Sequence, residues 1–338
     1  MKKLERFVPF IIDNLTWVLL FAVFIISSIF IPRFMTERNV LNLLEHASVL
    51  GIMVVGQSLC FFSGNFDLSA ESTLGLTALV GAWLITAEGA PSFGSGLEMN
   101  LALVLLIMFS IGILIGFLNG LLITRLKMNN FIVTLSGLII YRGLTLAVNS
   151  GKTISQINPS FLVLGQTKIG PVPISIIIMV TFFLLAYLLT RHTQFGRDVY
   201  AVGGNKDAAL ASGINADRRI RQVYILSGII AAFAGWMYVG RLGSATASMG
   251  QGMIFEVNAA AVIGGISLFG GRGNIIGALG GVILLSSINS SLTLLQTSPF
   301  LIDAIRGAII IIAMVIDAQK LKFRKVDIVS AVTTQVAK

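Results

Sequence analysis

Apolar runs separated by short polar clusters recur from end to end of the chain, and they predict helices that cross a lipid bilayer, since one crossing takes about 20 apolar residues. The windows fall at Leu15–Ile31, His46–Ser63, Ser72–Ala87, Leu101–Thr124, Phe131–Val148, Pro173–Thr190, Val223–Arg241, Val257–Phe269, Ile275–Leu295 and Leu301–Ile316. The expected fold class is all-α, a polytopic membrane protein of about ten transmembrane helices. Lys2, Lys3 and Arg6 ahead of the first window resemble a secretory leader, but the run is long and no A-x-A site follows, so it is read as an uncleaved first span.

Composition agrees: 55% of the 338 residues are hydrophobic and 12% charged, against about a quarter charged in soluble domains. A water-soluble globule is excluded. Ten spans take up roughly 200 residues, so residues 1–338 are read as one transmembrane domain with a loop at 191–222 and a tail at 318–338. A single cysteine, Cys60, excludes an internal disulfide and a cysteine-based metal site. His46 and His192 are too few and too far apart to hold a metal.

The net charge of +9 changes meaning once each basic residue is placed. With an even number of spans and the N-terminus cytoplasmic, 17 of the 24 Lys and Arg residues fall inside and five outside, with Arg142 and Arg306 within spans. Such a bias sets orientation, with both termini cytoplasmic. The surplus reads as topology together with attraction to anionic membrane lipid, and a nucleic-acid partner is not needed.

The chain repeats itself in opposite directions. Phe66-Asp67-Leu68-Ser69-Ala70 precedes the third span, Phe255-Glu256-Val257-Asn258-Ala259 starts the eighth, and a glycine follows nine residues after each Phe, at Gly75 and Gly264. An offset of five spans inverts the second copy, the arrangement of two inverted halves with discontinuous helices that places a transport path at the breaks. The eighth run is short and carries Gly264-Gly265, which argues against a straight full-length helix. The series Gly112, Gly116, Gly120 and Gly273, Gly277, Gly281 predict close helix packing within the chain rather than dimerisation.

Arg191 to Gln222 is the one inside loop large enough to dock a partner. In it Asp207-Ala208-Ala209-Leu210-Ala211-Ser212-Gly213 reads as a short helix that Asn205 caps and Gly213 ends. This acid-Ala-Ala-x-x-x-Gly pattern resembles the loop by which permeases of ATP-binding-cassette importers couple to their ATPase subunits. Gly196-Arg197-Asp198-Val199-Tyr200-Ala201-Val202-Gly203-Gly204-Asn205, Asp67-Leu68-Ser69, Asn119-Gly120, Phe131 to Leu135 with Arg142-Gly143, Val262 to Gly265 and Ser267 to Gly273 are similar to the ribose-type sugar permease branch, in order, over about residues 40 to 317. The resemblance implies the transmembrane subunit of a sugar importer in the bacterial inner membrane. Its partners would be ATPase subunits that bind ATP and Mg, a second permease copy or paralogue, and an extracytoplasmic sugar-binding protein. Three departures stand out: Gly64-Asn65 and Glu71 where the family pattern has glycines, Asn129-Asn130 where it has prolines, and Asn258 where it has an acid.

Ionisable groups inside spans are costly and therefore candidates for function: Glu45, His46, Asp67, Glu71, Arg142, Glu256, Asp303 and Arg306. Asp303 and Arg306 are spaced to neutralise each other. Asp67 and Glu256 are read as caps for the half-helices that follow them rather than as solute contacts. Arg142 needs a partner, with Asp67 and Glu71 available. Gln57, Asn65, Asn119 and Asn289 either line a polar path or bridge helices, and Ser69, Asn258, Gly264 and Gly265 complete the candidate path and helix breaks.

Ser150-Gly151-Lys152-Thr153 imitates a phosphate-binding loop, but Leu146 stands where that loop needs its first glycine, so no nucleotide site is expected in this chain. No nucleophile and base are spaced as an intramembrane enzyme requires, and the chain is read as a transport subunit, not an enzyme. The alternative is an ion-coupled secondary transporter of a small polar solute, which predicts carboxylates deep in the spans; most of the acids here sit near span ends.

Overall fold

The computed structural model describes residues 15–87, 93–309, 311, 312 and 315, and the tail proposed at 318–338 lies outside them. The chain is helical almost throughout. The first half comprises α1 (Leu15–Phe30), α2 (Glu37–Phe62), α3 (Ala70–Ile85), α4 (Leu101–Arg125) and α5 (Asn130–Asn149). A short α6 (Pro159–Gln166) and a two-residue hairpin, β1 (Lys168–Ile169) and β2 (Val172–Pro173), lead into α7 (Ile174–His192). Two polar helices, α8 (Gln194–Gly204) and α9 (Lys206–Ala211), precede α10 (Ala216–Leu242), α11 (Met253–Ile263) and α12 (Ile275–Leu294). A further helical stretch covers 299–309; the rest of the predicted tenth span lies largely outside the described residues.

Helices α2, α4, α5, α7, α10 and α12 are long and apolar enough to cross a bilayer, whereas α1, α3 and α11 are shorter. At 1.5 Å per residue α2 is roughly 39 Å long and α11 roughly 16 Å, against an apolar layer of about 30 Å. Helix α11 therefore covers about half the layer. It stops where expected, at Gly264 and Gly265, the latter with φ +87°.

Two helices are central. The apolar stretch of α2 is 83% buried inside the chain and that of α10 67%, while α4, α5 and α7 bury 28% or less and turn most of their surface outward. Helix α10 packs on α2, α3, α4 and α6, and α2 packs on α7, α10, α11 and α12. The halves mirror each other in this packing: α3 lies on α4 and on the other half's α10, and α11 lies on α12 and on the other half's α2.

Both glycine series pack inside the chain. A Cβ on Gly112 would lie 2.4 Å from the Gly228 carbonyl and one on Gly116 2.2 Å from that of Tyr224, so the backbones of α4 and α10 touch. On the other side, a Cβ on Gly277 would lie 2.1 Å from the Gly264 carbonyl and one on Gly281 2.0 Å from that of Ala260, which joins α12 to α11. Close backbone approach of this kind replaces the hydrophobic force that lipid cannot supply.

Candidate functional site

The polar segment between α7 and α10 is built by its own caps. Thr193 accepts from the Gly196 N–H at 3.2 Å to start α8, and Asn205 accepts from the Ala208 N–H at 2.9 Å to start α9. Helix α9 ends in a Schellman turn, with Gly213 N–H donating to Leu210 and Ile214 N–H to Ala209, which requires the left-handed φ of +81° at Gly213. Gly196 is buried against the end of α7, where a Cβ would meet the Thr190 carbonyl at 2.2 Å.

Ala209 is the buried residue of α9, packed among Ile123, Val133, Val202, Ala216, Ile220 and Tyr224. Asp207, Ala208, Leu210 and Ala211 are exposed, as are Arg197 and Gly204. Salt bridges fix the segment to its surroundings. Asp217, on the first turn of α10, lies 2.8 Å from Lys127 Nζ and 3.0 Å from Lys206 Nζ. Burial pushes its carboxyl up, but hydrogen bonds from the two lysines outweigh this and hold it below the ordinary value. Arg219 grips Asp198 through Nε at 2.9 Å and Nη2 at 2.6 Å, tying α8 to α10.

Beneath α8 three backbone segments meet almost without side chains. A Cβ on Gly203 would lie 2.0 Å from the Phe62 carbonyl, 2.7 Å from Gly271 N and 2.9 Å from Gly64 N. The Gly271 N–H donates to the Phe62 carbonyl at 3.1 Å. Tyr200 stacks on Phe62 with ring centroids 4.5 Å apart, and its hydroxyl donates to the Gly273 carbonyl at 3.0 Å. The segment thus bears on the turn that ends α2 and on the turn between α11 and α12.

From the end of α2 the chain enters a buried polar cluster. Asp67 is 3% exposed. Its Oδ1 accepts from Ser69 N–H at 3.1 Å and the Ser69 hydroxyl at 2.6 Å, and its Oδ2 accepts from the Ser227 hydroxyl of α10 at 2.7 Å. Asn119 Nδ2 donates to Ser69 Oγ at 2.9 Å, and the Tyr224 hydroxyl donates to the Phe66 carbonyl at 2.6 Å. Asp67 thus orders Ser69, the residue that leads into α3, and does so from the turn before the helix, not as the cap of a helical N–H that its position predicts. Asn65 Nδ2 donates to Ser63, and Asn65 Oδ1 accepts from Asn130 Nδ2 at 3.1 Å, so two of the departures from the family pattern bond each other. Asn129 caps α5 by accepting from Phe131 N–H at 2.9 Å.

Glu256 corrects the sequence reading. It lies on the first turn of α11, but its carboxylate is 2.8 Å from Arg306 Nη1 and it does not cap the helix. The same Arg306 holds Asp303 at 2.9 Å, as their spacing predicts, and donates from Nε to Asn289 Oδ1 at 3.1 Å. The acceptor at the start of α11 is Glu71, whose Oε2 takes the Ile254 N–H at 3.1 Å. Glu71 is also the partner of Arg142, at 3.5 Å between Oε1 and Nη2. Each half therefore pairs a first-turn acid of its half-helix with an arginine on its closing helix.

Of the four polar residues offered for a path, Asn65, Asn119 and Asn289 bond across to other segments, while the side-chain amide of the buried Gln57 has no partner among the described residues. Asn258 Oδ1 is likewise without one. Gly264 sits against the backbone of Gly277 and Ala278, and Gly265 makes the turn that follows. Ser227 and Tyr224 complete the Asp67 cluster and escaped sequence reading; their one signal is polarity within the apolar window of α10.

Comparison with known proteins places this arrangement. The family described as "Branched-chain amino acid transport system / permease component" matches residues 39–314. The chain is 38% identical over 303 residues to the ribose import permease protein of Bacillus subtilis (strain 168), covering 89% of this chain and 91% of that one. It is 33% identical over 317 residues to the ribose import permease protein of Escherichia coli (strain K12), covering 92% and 95%. With the galactose/methyl galactoside import permease protein of the same strain it shares 35% over 306 residues, covering 87% and 90%. No solved structure matches. The chain belongs to this family of importer permease components, on its ribose-type branch, as a multi-pass inner-membrane transport subunit and not an enzyme.

Proposed function

We propose that this chain carries a monosaccharide of the ribose or galactose class inward, as one of two permease subunits fed by an extracytoplasmic sugar-binding protein and driven by two cytoplasmic ATPase subunits. The sugar class rests on what the relatives transport. The orientation rests on the basic residues, which put both termini and the α8–α9 segment in the cytoplasm. ATP and Mg are bound by the ATPase subunits.

One observation supports the coupling role above the others: α9 is capped at both ends, anchored by Ala209 and the Lys206–Asp217 salt bridge, yet presents Ala208, Leu210 and Ala211 to solvent. A short helix with small apolar side chains seats in a groove of a partner with little to repack. Its displacement on nucleotide-driven closure passes through the Gly203 contact to the turns at both half-helices.

The test is uptake by proteoliposomes holding this chain, its ATPase and its binding protein. Ribose or galactose is expected to enter in an ATP-dependent way. Ala208→Trp should cut that uptake at least about tenfold while the chain still inserts and elutes as one species. Undiminished uptake in this variant removes the docking role, and uptake of leucine in place of sugar removes the substrate class.

A further inference from the structure

Between α10 and α11 the chain does not cross in a simple loop. Residues 243–252 fold back with Ala245, Ala247, Met249 and Gly250 buried, and α11 begins only at Met253. Irregular backbone at membrane depth needs a partner for each N–H and C=O, because lipid offers none. The outer limb finds one in Ile154, which exchanges two backbone hydrogen bonds with Ala245 at 2.8 and 2.9 Å. The inner limb finds its partners in the other half. Arg142 Nη1 donates to the carbonyls of Ala247 and Met249, each at 2.9 Å, and Glu71 Oε2 accepts the Ile254 N–H at the start of α11.

The residue preceding α11 is Gly252, which has no side chain to cap with, so without Glu71 the Ile254 N–H loses its acceptor. Glu71 and Arg142 neutralise each other at 3.5 Å, with side chains 4% and 14% exposed. Gly75 leaves space for the arrangement, since a Cβ there would lie 2.8 Å from the Met249 carbonyl and 2.9 Å from Arg142 Nη1. Ser248 and Gln251 are the exposed polar side chains of the tip.

We propose that Glu71 and Arg142 are positioning residues which hold the re-entrant segment 243–252 at membrane depth, and thereby set where the second half-helix starts and where Ser248 and Gln251 stand. The pair goes beyond the transport assignment, and its test does not depend on the sugar.

With Cys60→Ala as background, Ala247→Cys, at a buried position whose carbonyl takes Arg142, is introduced as a probe and labelled by a membrane-impermeant maleimide in nanodiscs, where both faces are accessible. Ser287→Cys, buried in α12, serves as the second probe. Arg142→Gln should raise labelling at position 247 at least about tenfold and leave that at 287 unchanged. Glu71→Gln keeps an oxygen for Ile254 and should raise it less than Glu71→Leu. Arg142→Lys, which cannot reach two carbonyls and a carboxylate together, should fall between wild type and Arg142→Gln. Unchanged labelling at 247 in Arg142→Gln and Glu71→Leu overturns the proposal, as does an equal rise at both probes, which means general loosening. If Arg142→Gln does not fold, Glu71→Gln and Arg142→Lys give the same reading.

Discussion

Helices α3 and α11 hold matching places in the two halves, and each starts with N–H groups that its own turns cannot satisfy. For α3 the acceptor comes from two residues upstream, Asp67 to Ser69; for α11 it comes from 183 residues away, Glu71 to Ile254. The first start is a local property of the sequence. The second exists only when the halves have docked, so repeated architecture does not mean repeated chemistry. The acid of the Phe-acid-aliphatic-polar-Ala pattern has been reassigned in the second copy, from helix start to the Arg306 ion pair.

This contrast sets the order of expected effects. Asp67→Leu leaves two hydroxyls and an N–H without their acceptor in a buried site, and should lower stability by about 3 kcal/mol in thermal unfolding of the detergent-solubilised chain. Asp67→Asn keeps an acceptor oxygen and should lose about 1 kcal/mol; equal losses would show that Asp67 does not serve the start of α3. Ser227→Ala removes one donor to Asp67 from across the halves and should cost about 1 kcal/mol. A loss of that size from Ser227 would show that the α3 start too draws on the second half, though less than α11 does.

The smallest effect is expected at the Asp217 clamp. Asp217 is partly exposed, so Asp217→Asn should cost no more than about 1 kcal/mol at neutral pH. Its folded-state value is depressed, so the contribution is present above the unfolded value of about 3.9 and is lost as pH falls through the folded one. Wild type and Asp217→Asn should converge in stability below that range. A difference that persists there assigns the effect to packing.

Elements set by nearby residues were legible in the sequence. The Asn205 cap, the Gly213 stop, the Gly264-Gly265 break and the Asp67 turn all depend on partners within a few positions. Helix starts were less so: α2 begins nine residues before its predicted window, at a Thr36 cap, and α10 seven before, at an Asn215 cap. Apolar windows register the part of a helix that lies in lipid, and both helices continue into water through charged turns such as Asp217 to Gln222. Long-range partners were the least legible. Spacing offered Arg142 two acids and could not choose, and nothing local ties Glu71 to Ile254.

At Gly203, α8 meets its neighbours backbone to backbone. Side chains in an ordinary interface have rotamers that take up slack, so a small push is partly absorbed. At Gly203 itself the contact has no rotamers and its compliance is that of peptide planes, with the Tyr200 ring on Phe62 as the side chain beside it. On the docking role proposed for α9, a displacement entering there would reach the end of α2 and the turn after α11 together, so that a single stroke would work on both halves at once.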